Sequence, residues 1–76
     1  MAEVKLPQLA EGVESATITY WHFKQGERVR EGQDIVELAT DKATFNLAAP
    51  ATGILSEIYF NEGDSAQVGS VLATIS

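Results

Sequence analysis

The sequence predicts an all-β fold, a flattened barrel-sandwich hybrid of two small antiparallel sheets related by an approximate twofold axis. Three observations favour this fold. Short apolar runs alternate with glycine-containing and acidic turns, the apolar residues recur nearer every second position than every 3.6, and the two halves of the chain repeat. With 76 residues and an ordinary apolar fraction, the chain is expected to fold as one domain with a modest core.

The predicted strands follow from turn signals and residue type. Pro7 ends the first strand, and a surface loop then covers residues 8–15, with a turn at Glu11-Gly12. The second strand is rich in β-branched and aromatic residues, which favour strands. No run of strong helix formers is long enough to predict a helix. The predicted strands are Val4 to Leu6, Ala16 to Phe23, a brief pairing at Val29, Ile35 to Thr40, Ala43 to Ala49, Ile54 to Phe60 and Val71 to Ile75.

The repeat has a period of 37 residues. Apolar residues recur at 18, 21 and 23 in one half and at 55, 58 and 60 in the other, and the odd step of three predicts a bulge or sharp bend in each half. Because each half is too small for a core of its own, the halves are expected to bury their apolar faces against each other. The identical residues that this shift superposes include Phe23 on Phe60, Gly26 on Gly63 and Gly32 on Gly69.

Asp41 and Lys42 form a two-residue connection between two predicted strands, which is the length of a tight β-hairpin. Under the shift of 37 residues, the counterpart of Lys42 is Lys5, beside the first strand. The first strand must lie next to the last, so the twofold axis predicts that the hairpin lies opposite both termini. A lone Asp-Lys pair is typical of a solvated turn, but this symmetric setting indicates an attachment point for a swinging prosthetic group.

Composition argues against several function classes. The formal net charge is −6, from five basic and eleven acidic residues without a basic stripe, so nucleic acid is not expected as a partner. Without cysteine there is no disulfide framework, thiolate metal site or cysteine nucleophile. No apolar run approaches membrane-spanning length, and the first residues have neither the apolar core of a signal peptide nor the basic character of a transit peptide. We therefore expect a soluble protein of a reducing compartment, the cytoplasm or, in a eukaryote, the mitochondrial matrix.

Few other side chains offer a functional site. His22, the only histidine, is predicted to face outward from the second strand with no further metal ligand near it in sequence. Glu37 and Asp41 could form a carboxylate pair, but no enclosing cleft is predicted that would suit them for acid–base catalysis. The sequence therefore predicts no catalytic residue and no metal ligand.

The string Glu37-Leu38-Ala39-Thr40-Asp41-Lys42-Ala43 resembles the modification motif of lipoyl domains, in which an Asp-Lys-Ala tripeptide carries the modified lysine. Residues 6–13, Leu-Pro-Gln-Leu-Ala-Glu-Gly-Val, are similar to the opening of such domains in the acyltransferase subunits of 2-oxo acid dehydrogenase complexes. Ala10 and Ser15-Ala16 depart from the family pattern near the loop that would set partner specificity. The resemblance covers essentially the whole chain and extends to Ile18-x-x-Trp21, Gly26-Glu27-x-Val29-x-x-Gly32, Ala49-Pro50-Ala51-Thr52-Gly53, Glu62-Gly63-Asp64 and Gly69.

The resemblance implies a lipoyl carrier domain, a swinging arm without catalytic activity of its own. Lys42 would carry lipoic acid as an amide, with Asp41 and Ala43 as the flanks of the modification motif and the Asp41 side chain bonding nearby turn amides. About ten bonds would place the reactive sulfurs roughly 14 Å from the backbone. The implied partners are a lipoylating enzyme, a thiamin-dependent 2-oxo acid decarboxylase, the acyltransferase core and dihydrolipoamide dehydrogenase. The candidate contact with the decarboxylase comprises Glu11, Gly12 and Glu14.

Residues 1–76 would form one lipoyl domain, which we expect to be the N-terminal domain of a larger dihydrolipoamide acyltransferase, of the pyruvate dehydrogenase complex or a related one. The isolated domain is expected to be a monomer without a membrane partner. Two alternatives remain open. A biotin carrier domain shares the fold, but such domains usually place methionine on both sides of their lysine, where this chain has Asp41 and Ala43. An unmodified interaction module of the same fold would leave Lys42 without a role.

Overall fold

The computed structural model describes residues 2–76, which form eight strands and no helix. The strands are β1 (Ala2–Lys5), β2 (Ser15–Trp21), β3 (Arg28–Val29), β4 (Asp34–Ala39), β5 (Thr44–Ala48), β6 (Gly53–Ile58), β7 (Ser65–Gln67) and β8 (Val71–Ile75). They build two four-stranded antiparallel sheets, one in the order β1-β8-β6-β3 and the other in the order β5-β4-β2-β7. None of the described residues lies in a helix long and apolar enough to cross a membrane. The all-β prediction is confirmed.

Seven of these strands coincide with predicted ones, and their ends differ from the predictions by at most two residues. The sequence-based prediction omits β7, because Ser-Ala-Gln contains no β-branched or aromatic residue and only Ala66 is buried. The repeat did contain the signal, since a shift of 37 residues moves Arg28–Val29 onto the first two residues of β7. A short strand of this kind forms because β2 offers it a pairing edge.

The predicted twofold symmetry is present and relates one sheet to the other. A shift of 37 residues carries β2, β3 and β4 onto β6, β7 and β8. The equivalent turn glycines Gly26 and Gly63 have φ angles of 96° and 94°, in the left-handed region that favours glycine. Each sheet therefore contains the same four kinds of strand in the same order.

The equivalence of Lys42 and Lys5 is wrong. The counterpart of β1 is β5, and their residue numbers differ by 43 rather than 37: Val4 faces Ala73 on β8, whereas Leu47 faces Val36 on β4. The difference arises because one half has the 40–43 hairpin where the other half has the two chain ends. Lys42 thus occupies the position that corresponds to the gap between the termini.

Both predicted bulges are present, one in β2 between Ile18 and Tyr20 and one in β6 between Leu55 and Glu57. The extra residue carries a hydroxyl group in each case. The Thr19 Oγ1 donates to the backbone oxygen (3.1 Å) or the Oε2 (2.7 Å) of Glu37 on β4. At the equivalent position, the Ser56 Oγ lies 3.1 Å from the backbone oxygen of Thr74 and 2.9 Å from its Oγ1. The symmetry therefore extends to side-chain hydrogen bonds.

The core lies between the sheets and draws on both halves. Partly buried Trp21, Phe23 and Phe60 pack against it, and the Trp21 Nε1 donates to the Phe60 carbonyl oxygen at 2.9 Å, which joins one half to the other. Burying a valine, leucine or isoleucine side chain contributes about 1.5–3 kcal/mol. The largest fully buried side chains are Leu6, Ile18, Val29, Ile35, Val36, Leu38, Leu55, Leu72 and Ile75.

The 40–43 hairpin and the termini lie at opposite ends of the domain, which measures 32 × 20 × 17 Å. Ala2 faces Ile75 at one end of the first sheet, and Lys5 faces Val71 at the other. It is the Lys5 end that connects to the base of the hairpin. The connection runs through the Thr17–Ala39 and Ser15–Gln67 pairs and through backbone bonds from Val68 to Glu14 (2.9 Å) and from Gly69 to Leu6 (2.8 Å). The predicted placement is confirmed.

Candidate functional site

The hairpin tip comprises residues 40–43, beyond the last paired residues Ala39 and Thr44 of β4 and β5. The Thr40 backbone N–H donates to the Ala43 carbonyl oxygen at 2.8 Å, and Asp41 and Lys42 occupy the central positions. Paired strands on both sides make this a defined projection rather than a loose loop. The predicted hairpin between residues 35–40 and 43–49 is thus present.

The turn does not have the backbone conformation usual for a two-residue connection. The usual types need a positive φ at one or both central residues, and no residue other than glycine has a positive φ among residues 2–76. In this turn the Thr40 side chain, rather than the backbone, binds the amides: its Oγ1 accepts from the Lys42 N–H at 3.3 Å and from the Ala43 N–H at 3.2 Å. The turn amides were expected to donate to the Asp41 carboxylate, but no such hydrogen bond forms within residues 2–76, so on this point the sequence prediction was wrong.

Lys42 is exposed, and its side-chain nitrogen forms no ion pair or hydrogen bond with the described part of the chain. Asp41 and Ala43 on either side are exposed too. An amine in this setting is open to an acyl donor, and a group joined to it would extend from the end of the domain. These residues therefore fit a covalently attached prosthetic group.

A groove of about 770 Å³ separates the hairpin tip from the loop before β2. Glu11, Gly12 and Glu14 line this groove together with Asp41 and Lys42. The loop turns at Gly12, where φ is 80°, and the Val13 N–H donates to the Ala10 carbonyl oxygen at 3.1 Å. The three residues selected from the sequence thus line the same groove as the lysine. Their contact with a partner stays a prediction.

The groove is acidic. Its lining includes the carboxylates of Glu11, Glu14 and Asp41, with Lys42 as the basic residue among them. Acylation of Lys42 would remove its positive charge and leave three carboxylates without a counter-charge at this end. A basic surface on a partner would complement the groove more strongly after that reaction than before it.

The remaining candidate side chains have structural contacts. The His22 Nε2 lies 2.9 Å from the Asn46 Oδ1, and its ring meets the Tyr20 ring edge-on with centroids 5.2 Å apart. The Glu37 carboxylate accepts a hydrogen bond from the Thr19 hydroxyl. Within residues 2–76, no group of three or more His, Cys, Asp or Glu side chains is arranged to hold a metal ion.

Comparisons with known proteins agree with this geometry. The family model described as "Biotin-requiring enzyme" matches residues 2–75. The chain is 42% identical over 76 residues to the dihydrolipoyllysine-residue succinyltransferase component of the 2-oxoglutarate dehydrogenase complex of Bacillus subtilis (strain 168), covering 100% of this chain and 18% of that protein. It is 35% identical over 75 residues to the acetyltransferase component of the pyruvate dehydrogenase complex of Acholeplasma laidlawii, covering 99% of this chain and 14% of that protein. The chain thus spans less than a fifth of the length of these relatives.

Among solved structures, the lipoyl domain of the 2-oxoglutarate dehydrogenase complex from Azotobacter vinelandii superposes with a TM-score of 0.81 at 34% identity. The alignment covers 100% of this chain and 96% of that domain. Both the sequence and the arrangement of the strands are therefore similar along the entire chain.

Proposed function

The chain belongs to the family of biotin- and lipoyl-attachment domains and is a lipoyl carrier domain, and on this premise we propose that Lys42 carries lipoic acid through an amide on its side-chain nitrogen. One observation carries the proposal: an exposed lysine, flanked by Asp41 and Ala43, projects from a hairpin tip at the end of the domain opposite both termini. A tether at the termini would then leave from one end and the prosthetic group from the other.

The chain's own residues bind, present and orient the group, and the domain is not catalytic by itself. Attachment joins the Lys42 nitrogen to the lipoyl carbonyl carbon, while the nitrogen loses a proton and the activating group on the carbonyl leaves. When bound, the lipoyl group supplies a disulfide that can carry acyl groups and reducing equivalents. The exposed Lys42 side chain makes no hydrogen bond or ion pair with residues 2–76, which suits an arm that must visit several active sites. Tethering raises the effective concentration of the arm at each of them.

Biotin is the second candidate, because the family includes domains that carry either group. The residues beside Lys42 favour lipoate: biotin carriers usually have methionine on both sides of the lysine, and this chain has Asp41 and Ala43. The similarity to a solved lipoyl domain over the full chain supports the same choice. An unmodified interaction module has no comparable support.

We propose that the domain works in a 2-oxo acid dehydrogenase complex, as part of a longer acyltransferase chain. Its partners there would be the lipoylating enzyme, the thiamin-dependent decarboxylase, the acyltransferase core and dihydrolipoamide dehydrogenase. The sequence alone favoured pyruvate or a related 2-oxo acid, whereas the 42% identity to a succinyltransferase component, against 35% to an acetyltransferase component, favours 2-oxoglutarate. The proposed compartment is the cytoplasm, or the mitochondrial matrix if the source is eukaryotic.

Attachment is tested by intact mass. The domain is incubated with a lipoate–protein ligase, ATP and lipoate, in parallel with a biotin–protein ligase, ATP and biotin. We expect one lipoyl increment on the wild type and none on Lys42→Arg, which keeps the charge but offers no acylable amine. Lys5→Arg is the matched control, because Lys5 is an exposed lysine of the other half. An unmodified wild type overturns the proposal, and a biotinyl increment replaces it with the second candidate.

The complex is tested by the decarboxylase reaction. The lipoylated domain is supplied to 2-oxoglutarate decarboxylase and to pyruvate decarboxylase of dehydrogenase complexes, each with its labelled 2-oxo acid. We expect the higher kcat/KM with 2-oxoglutarate. Glu11→Gln with Glu14→Gln should lower kcat/KM, and the loss should shrink as salt is added. Glu57→Gln on the other sheet is the control. Equal rates with both decarboxylases contradict the choice of 2-oxoglutarate.

A further inference from the structure

The 40–43 hairpin contains a hydroxyl group whose hydrogen-bonding capacity is fully used. A threonine hydroxyl has one proton to donate and two lone pairs that can accept. The Thr40 Oγ1 donates to the Ala43 carbonyl oxygen at 3.2 Å and accepts from the amides of Lys42 and Ala43. These bonds span both central residues of the turn and tie the end of β4 to the start of β5.

The backbone forms few of the hydrogen bonds in this turn, and the Thr40 side chain forms the others. Of the two backbone bonds that would close a hydrogen-bonded pair between Thr40 and Ala43, only the one donated by the Thr40 N–H is formed. Asp41 and Lys42 both have negative φ, so the turn lacks the usual hairpin conformation. Without the hydroxyl, a single backbone bond would hold the tip.

Lys42 has no other means of orientation. Its side chain makes no hydrogen bond or ion pair with residues 2–76, so the direction of its Cα–Cβ bond depends on the backbone alone. Its own backbone N–H, which is bonded to that Cα, donates to the Thr40 Oγ1 at 3.3 Å. The hydroxyl therefore sets the direction in which the amine projects.

We propose that Thr40 is a positioning residue for the acylation of Lys42: its hydroxyl holds the hairpin tip in the conformation that the modifying enzyme binds. The proposal rests on the lipoylation of Lys42. If the modifying enzyme binds only one conformation of the turn, its apparent affinity for the domain falls in proportion to the fraction of domains that have this conformation. Loss of the hydroxyl should therefore raise KM and leave kcat unchanged.

The test uses three variants of the whole domain. Thr40→Val keeps the shape and the β-branch but removes the hydroxyl, and Thr40→Ser keeps the hydroxyl but removes the methyl group. Thr52→Val is the matched control, since the Thr52 Oγ1 also accepts from a turn amide, that of Glu31 at 3.0 Å, near the end of the domain that carries the termini. The two valine variants thus lose the same kind of bond at opposite ends.

Lipoylation kinetics are measured with a lipoate–protein ligase, and amide hydrogen exchange is followed by NMR. We expect KM for Thr40→Val to rise about three- to tenfold with kcat unchanged, from the loss of modest turn bonds. Exchange at the amides of Lys42 and Ala43 should become faster in this variant. Thr40→Ser should retain the wild-type KM and exchange rates, and Thr52→Val should retain the wild-type KM.

Three results would overturn the inference: an unchanged KM for Thr40→Val, a Thr40→Ser domain as impaired as Thr40→Val, or an equal rise in KM for Thr52→Val. The last would indicate a loss of overall stability rather than of the local turn. A wild-type domain that is not modified at Lys42 is a different outcome, because it removes the proposed function and this inference with it. Modification of the wild type and of Thr40→Val at the same KM removes the inference alone.

Discussion

Removal of the Ser56 hydroxyl should destabilise the domain more than removal of the equivalent Thr19 hydroxyl, although each group lies within hydrogen-bond distance of one backbone oxygen and one side-chain oxygen at a bulge. The two sites differ in exposure. Thr74, the partner of Ser56, is 7% exposed, whereas Thr19 is exposed and its partner Glu37 is only half-buried. In Ser56→Ala, the Thr74 hydroxyl would be left buried without a partner, which costs about 1–3 kcal/mol. In Thr19→Val, water can replace the lost bond, so the cost should be at most about 1 kcal/mol.

The assay is urea unfolding followed by Trp21 fluorescence, with thermal melting as a second measurement. For a domain of this size, an excess loss of about 1 kcal/mol in Ser56→Ala over Thr19→Val corresponds to a difference of roughly 4–8 °C in Tm. The double variant Ser56→Ala with Thr74→Val should recover part of the loss, because two apolar groups leave no unpaired hydroxyl. Equal losses in the two single variants, or no recovery in the double variant, would refute the reasoning from burial.

Three further changes test the packing. Gly53→Ala should cost roughly 2–4 kcal/mol in urea unfolding, because a Cβ at this position would clash with the Ser76 carbonyl oxygen; a loss well below about 1 kcal/mol would contradict the steric argument. Trp21→Phe should lower stability by about 1 kcal/mol in thermal melts followed by circular dichroism, because it removes an indole bond to the other half; an unchanged Tm would show that this bond does not hold the halves together. Leu55→Ala should cost about 2–5 kcal/mol, and the neighbouring, 42% exposed Ile54→Ala serves as its control; similar losses in both would contradict the assignment of Leu55 to the core.

Much of the fold follows from the sequence because the pattern and the repeat report the same physical requirement. Each half must bury apolar residues on one face, so Ile18 and Leu55 recur at equivalent positions and both are fully buried. The odd spacing after each of them predicted a bulge or sharp bend, and a bulge is present in both halves. The same symmetry predicted that Lys42 lies at the end opposite the termini, and this position is correct although the equivalence with Lys5 used to derive it is not.

The parts that the sequence did not predict depend on neighbours or on backbone angles. The three residues of β7 have little tendency to form a strand, and they pair because β2 lies beside them. The role of Thr40 depends on the sign of φ at Asp41 and Lys42, which their residue types do not determine. The equivalence of Lys5 and Lys42 failed because a fixed shift cannot allow for a connection that only one half contains.

The 40–43 hairpin corresponds by symmetry to the gap between the termini, so the chain could be closed at that gap and opened at the hairpin. Bridging Ser76 to the N-terminus with a short peptide and cutting between Asp41 and Lys42 would give a circular permutant in which all six strand pairings are retained. The turn that bears the lysine connects the two equivalent halves, and none of its residues 40–43 takes part in a strand pairing. Evolution can therefore adjust this turn to suit an enzyme while the framework stays constant.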